Sequence, residues 1–190
     1  MKNYKVILLD LGGVVFQSTG DSNQKINWPI ISKLNHKYGH DLNVGKDKFP
    51  DFMDEYNALT NQQLKGEEFL KEVFDTLAIN SELIEMASSI GDIVIVSDNY
   101  RENIAYISER YHFASWAVKQ IYSFDYSMVK SNLAFFKKLL KELEPHKAED
   151  MLFIDDSLSK LESAKASGIQ GVLYKDNDQV KDELSAMRWP

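Results

Sequence analysis

The chain has 190 residues, 44% of them hydrophobic and 27% charged, the make-up of an ordinary globular protein with ample material for a core. A net charge of −7 and a pI near 5.1 exclude bulk-charge binding to nucleic acid or to anionic membranes. Cysteine is absent, which excludes disulfides, thiolate catalysis and thiolate zinc sites.

Val6-Ile7-Leu8-Leu9 is an apolar run without alternation, the pattern of a strand buried on both faces of a parallel sheet. Asp10 follows at its carboxyl end, where open α/β sheets place their ligand crevice. Gly12 and Gly13 come next and allow a tight turn and close approach of a ligand. Taken alone, the stretch fits equally well a strand end followed by an ordinary turn. Residues 17–27 are polar, with Ser18, Thr19, Gly20, Asp21, Ser22 and Asn23 reading as a loop. Apolar residues then fall at helical spacing. Ile30, Ile31, Leu34 and Tyr38 form a first set, closed by Gly39 as a C-terminal cap. Phe49 to Leu59, Leu64 to Leu77, and Leu83 to Ala87 form three more. No strand-like run occurs here, so residues 16–90 read as a small all-helical insert. Trp28, Tyr56 and the Phe69, Val73, Phe74 set read as its core rather than as substrate contacts.

Strands resume at Ile93-Val94-Ile95-Val96, which run into Ser97-Asp98-Asn99. A helix through Ile104 and Ile107, a short strand around Gln120-Ile121-Tyr122, and an amphipathic helix from Leu133 to Leu143 follow. Met151-Leu152-Phe153-Ile154 is another buried run and ends in Asp155-Asp156-Ser157. A helix to Gly168, a strand at Gly171 to Tyr174 and a last helix near Val180 to Met187 complete the chain. The alternation predicts an α/β fold with a parallel sheet, residues 1–15 and 91–190 forming its core.

In such a sheet the ends carrying Asp10, Ser97-Asp98-Asn99 and Asp155-Asp156 share one edge. Carboxylates brought this close need a cation between them, and an all-oxygen set suits a hard ion such as Mg2+. Ser97 and the N–H groups of Asp98 and Asn99 before a helix suit an anion. Lys130, just ahead of a helix, can bring an ammonium to the same crevice.

Four motifs, in order, resemble those of the haloacid dehalogenase superfamily: Leu-Leu-Asp-Leu-Gly-Gly-Val-Val around Asp10, Ile-Val-Ile-Val-Ser-Asp-Asn around Ser97, Tyr-Ser-Met-Val-Lys-Ser around Lys130, and Phe-Ile-Asp-Asp-Ser with Asp155 and Asp156. The resemblance covers essentially the whole chain and implies a Rossmann-like core, helices on both faces, and a cap inserted after the first motif. It implies Asp10 as nucleophile, an aspartyl-phosphate intermediate, and Mg2+ held by Asp10, the Gly12 carbonyl, Asp155 and Asp156. Ser97, Asp98, Asn99 and Lys130 would hold the phosphate. The expected activity is Mg2+-dependent hydrolysis of a small phosphorylated metabolite, a sugar phosphate among the candidates.

The chain departs from the family pattern at Gly12, where its phosphatases usually carry a second aspartate as general acid and base. A subgroup of sugar-phosphate phosphatases in the family shares Asp-Leu-Gly at this point. The departure predicts a preference for aryl, acyl or anomeric phosphates, whose leaving groups need little protonation. Ser127 and Ser131 replace the usual glycine and proline near Lys130, and Lys160 replaces the asparagine or aspartate that follows the acidic pair, setting a positive charge near the metal. Lys119 is the fallback for Lys130. Dehalogenases of the family also attack with aspartate, but they need no metal and lack the acidic pair. A phosphate-binding relative without turnover is the reading from another class. A receiver domain places its acidic pair at the first strand, and no Gly-x-Gly-x-x-Gly is present. The expected setting is cytoplasmic, since no apolar run approaches a membrane span and the first one ends in an acid.

Overall fold

The computed structural model describes residues 4–20 and 25–188, excluding the side chain of Arg188. The first strand, β1 (Val6–Leu9), leads into β2 (Phe16–Ser18). Three helices follow, α1 (Trp28–Asn43), α2 (Phe49–Thr60) and α3 (Gly66–Phe74), then β3 (Leu77–Ile79) and α4 (Ser81–Ser88). The remainder is β4 (Asp92–Ser97), α5 (Arg101–Arg110), β5 (Lys119–Tyr122), α6 (Ser123–Tyr126), α7 (Leu133–Glu142), β6 (Met151–Asp155), α8 (Leu158–Ala166), β7 (Gln170–Leu173) and α9 (Asn177–Arg188).

The main sheet has the order β5-β4-β1-β6-β7, and every pair is parallel. Its strands are uninterrupted apolar runs because both faces are covered. Along β1 the side chains alternate between two cores. Ile7 and Leu9 face a cluster completed by α4, α5, α9 and the three helices α1 to α3. Val6 and Leu8 face a second cluster with Phe135, Phe136 and Leu139 of α7 and Leu161 of α8. The expected α/β sheet with helices on both faces is therefore present. Among the described residues, no helix is long and apolar enough to cross a membrane.

Two expectations for the segment after β1 are corrected. Residues 16–90 are not all helical: Phe16–Ser18 and Leu77–Ile79 pair as an antiparallel ribbon, so Ser18 is a strand residue. Three residues are too few to show a period, and Leu77 lies four positions after Val73, which mimics a helix turn. The loop expected at Asp21, Ser22 and Asn23 lies outside the described residues. Gly39 does not end the first helix. It lies inside α1, which runs on to Asn43, and the left-handed residue after the helix is Gly45, with φ +86°. Its N–H reaches the Leu42 carbonyl at 3.0 Å and that of Lys46 reaches Asp41 at 2.9 Å, closing the helix as glycine commonly does.

Asn80 ties the ribbon, the core and the C-terminal segment together. Its Oδ1 caps α4 by accepting from the Leu83 N–H at 3.2 Å. Its Nδ2 donates to the Tyr174 hydroxyl at 2.9 Å and to Asn177 Oδ1 at 2.9 Å, and Asn177 Nδ2 donates back at 3.0 Å. Replacing Asn80 with alanine removes a cap and leaves buried partners unmatched, so Asn80→Ala should lower unfolding free energy by about 1–3 kcal/mol in urea titrations.

Candidate active site

Strand register assembles the site. Leu9 is level with Ile95 of β4 on one side and with Ile154 of β6 on the other. The next residue, Asp10, therefore sits between Val96 and Asp155, and its N–H donates to the Ile154 carbonyl at 3.1 Å. Ser97 is buried at the end of β4. Asp10 and Asp155 are buried too, while Asp156 is exposed at the rim. Each of these three carboxylates offers an oxygen within 4.8 Å of the others.

Lys130 organises the group. Its side chain is fully buried, and its Nζ contacts Asp10 Oδ1 at 2.7 Å and Asp155 Oδ2 at 2.6 Å. The third proton goes to the Val96 carbonyl at 3.1 Å, which matches the three donors of an ammonium. Burial works against the charged form of Lys130, yet the carboxylates of Asp10, Asp155 and Asp98 outweigh it and its pKa is raised. Asp10 shows the complementary balance: burial opposes ionisation, but Lys130 and Lys160 hold its pKa below the ordinary aspartate value. Asp155 and Asp98 go the other way, raised chiefly by burial.

Second contacts fix these groups. Asp98 Oδ1 accepts from the backbone N–H of Lys130 at 2.8 Å, and Asp155 Oδ1 accepts from that of Ser157 at 2.8 Å. Lys160 Nζ lies 3.7 Å from Asp10 Oδ2 and 3.9 Å from both Asp98 Oδ2 and Asp155 Oδ1, so the lysine singled out in the sequence does stand among the acids. Lys119 opens β5, at the far end of the parallel strand, and pairs with Glu142 at 2.9 Å. The lysine at the rim is Lys130.

Three features carried little sequence signal. Ser123, fully buried, accepts from the Asn99 N–H at 3.2 Å, so that amide, expected to face an anion, is engaged within the protein. Gly13 has φ +73°, and a Cβ there would lie 2.3 Å from Asp156 Oδ2; glycine is required for the turn and for the carboxylate beside it. At Gly12 an added Cβ would meet nothing within 4 Å, so the space beside it is open.

No family model matches the chain. Its five-stranded arrangement does recur in solved structures. A HAD family enzyme from Bacteroides thetaiotaomicron, in complex with magnesium and inorganic phosphate, aligns with a TM-score of 0.71 and 18% identity over 90% of this chain and 94% of that one. A predicted HAD-like family hydrolase from Porphyromonas gingivalis aligns with a TM-score of 0.71 and 16% identity over 99% of both chains. The fold is that of the HAD-like hydrolases. Relatives in sequence include one over nearly the whole chain and one over part of it. An uncharacterised protein of Dictyostelium discoideum is 26% identical, covering 98% of this chain and 88% of its own length. Drimenol cyclase of Aspergillus calidoustus is 38% identical over 58 residues, and the match spans 30% of this chain and 11% of that protein. Within the HAD-like fold, Asp10, Lys130 and Asp155 form one buried ionic unit. Lys130→Met leaves two buried carboxylates without their cation and should cost about 3–5 kcal/mol of stability, measured by urea unfolding.

Proposed function

We propose that this protein is a Mg2+-dependent phosphatase of the HAD type acting on a small phosphorylated organic compound, with Asp10 as its nucleophile. The observation that carries the reading is the approach of Asp10, Asp155 and Asp156 to within 4.8 Å at one sheet edge. The donor set fits the ion: the side-chain ligands are all oxygen, one carboxylate is open to solvent, and Gly13 leaves room for Asp156. Asp10, Asp155 and Asp156 would hold Mg2+, with the carbonyl of Gly12 beside them, and the bound ion would offset charge between the nucleophile and a phosphate. Magnesium and phosphate in the Bacteroides enzyme of the same fold support the reading.

Lys130 keeps Asp10 ionised and fixes its Oδ1. A carboxylate oxygen of Asp10 attacks phosphorus in line, and the bond to the leaving oxygen breaks as the aspartyl phosphate forms. Water then cleaves the acyl phosphate, releasing phosphate and restoring the carboxylate. Ser97, with the backbone N–H of Asp98, stabilises charge on the transferring oxygens. Lys160, 3.7 Å from Asp10, adds a second ammonium beside the carboxylates of the site. Helices α1 to α3 serve as the cap, within the insert formed by residues 16–90, and exclude water from the rim. The acidic pair Asp155-Asp156 favours this reading over a dehalogenase.

Release of phosphate from an aryl phosphate should require Mg2+, and Asp10→Asn should lower it by at least about 10³-fold while the protein stays folded by circular dichroism. Metal-independent turnover, or retained activity in Asp10→Asn, would exclude the mechanism. Gly12→Asp puts a carboxyl into open space, so it should raise kcat/KM on alkyl phosphates by about 10- to 100-fold and on aryl phosphates much less. A uniform change across leaving groups would show that acid catalysis is not what Gly12 lacks.

A further inference from the structure

Beside the charged rim lies a cavity of about 820 Å³, at the upper end of the roughly 300–1,000 Å³ typical of small-molecule sites. Gly12, Gly13 and Asn99 belong to its lining, which connects it to the strand ends that carry Asp10 and Asp98. One wall is apolar: Trp28 and Ile31 of α1, Phe69, Val73 and Phe74 of α3, and Leu77 of β3. That wall is preformed. Phe74 packs edge-on against Phe16 at 5.8 Å and Phe69 against Tyr56 at 4.9 Å. Trp28, expected in the core, is 42% exposed instead.

The lining includes the polar side chains of Ser18, Asn35, Lys175 and Asp176, and others that are engaged within the protein. Gln17 donates to the Tyr174 hydroxyl, which donates to Asn177 Oδ1 at 3.0 Å. Asn177 Nδ2 is divided between Asn80 and Glu82. Asn99 Oδ1 accepts from the Tyr100 N–H at 2.9 Å and from Asn103 Nδ2 at 3.0 Å. Among the described residues, the buried acceptor of this lining without a partner is Asn103 Oδ1. A polyol placed here would set several hydroxyls against Phe, Val and Leu side chains, each losing its water without a replacement. A hydrocarbon body loses nothing of the kind and gains by leaving water.

We infer that the substrate is a phosphate monoester whose leaving group is a bulky hydrocarbon body, aromatic or aliphatic, rather than a sugar. The inference rests on the phosphatase reading for its chemistry and on the cavity for its specificity. An aromatic body also agrees with open space at Gly12, since an aryl leaving group departs without a general acid.

The test is a series of 4-alkylphenyl phosphates from methyl to hexyl, which lengthens the hydrocarbon at nearly constant leaving-group acidity. Matching 4-alkylbenzylphosphonates, which cannot be hydrolysed, are titrated by calorimetry with Mg2+ present. kcat/KM should rise, and the phosphonate Kd fall, by about 2- to 4-fold per methylene, with phenyl phosphates bearing a polyol chain well behind. Trp28→Ala and Val73→Asp should flatten both slopes. Mg2+-dependent turnover with no chain-length dependence, or with polyol esters preferred, overturns the inference and leaves the phosphatase reading standing. Chain-length-dependent phosphonate binding without turnover of any ester supports the hydrocarbon site and overturns the phosphatase reading. No binding and no turnover overturns both, and the wild-type series decides even if a variant fails to fold.

Discussion

The molecule is built around one buried ammonium. Lys130 is sealed from solvent, and taking an ammonium and two carboxylates out of water is costly unless every charge finds a partner at short range. The parallel sheet provides this by register. Because Leu9 is level with both Ile95 and Ile154, the groups one step further on meet around a single point. A shift of one residue in either pairing would turn Asp10 or Asp155 into an apolar core. The cluster therefore demands the sheet arrangement that creates it, and the same demand keeps Asp10 ionised.

How much of this was legible in the sequence depends on the length of each signal. The runs at Val6, Ile93 and Met151 are unbroken and each leads into an aspartate within two residues, so the strands and the shared edge that gathers Asp10, Asp98 and Asp155 followed from pattern. Lys130 was separable from Lys119 because only the former precedes a long amphipathic helix. The ribbon of Phe16–Ser18 and Leu77–Ile79 was not legible, since three-residue strands carry no period and their pairing partners lie far apart in sequence. Gly39 misled because a glycine after an apolar set resembles a cap, whereas tertiary packing of Leu42 carries the helix onward. Ser123 escaped because a lone serine gives no sign that it will receive the Asn99 N–H. Trp28 was assigned to a core on residue type, and its exposure depends on where α1 sits over the rim, which no local pattern encodes.

The site thus has two chemically distinct halves joined at Gly12 and Gly13. One is ionic, held by strand ends, and fixes where a phosphate would react. The other is largely apolar, held by helices α1 and α3, and in the proposed reaction would receive what the phosphate is attached to. Asn80, Tyr174 and Asn177 are tied to each other, so they brace the boundary between the halves.

The apolar cluster on that face runs without a break from Ile7 and Leu9 in the sheet to Phe52 and Tyr56 in α2. Swinging the three helices outward as a block would tear this shared interior and wet it, a penalty set by area. Trp28, exposed at the cavity, stands outside that interior. A hydrocarbon occupant of the kind inferred above would offset part of that penalty by covering apolar surface that an opening would otherwise wet.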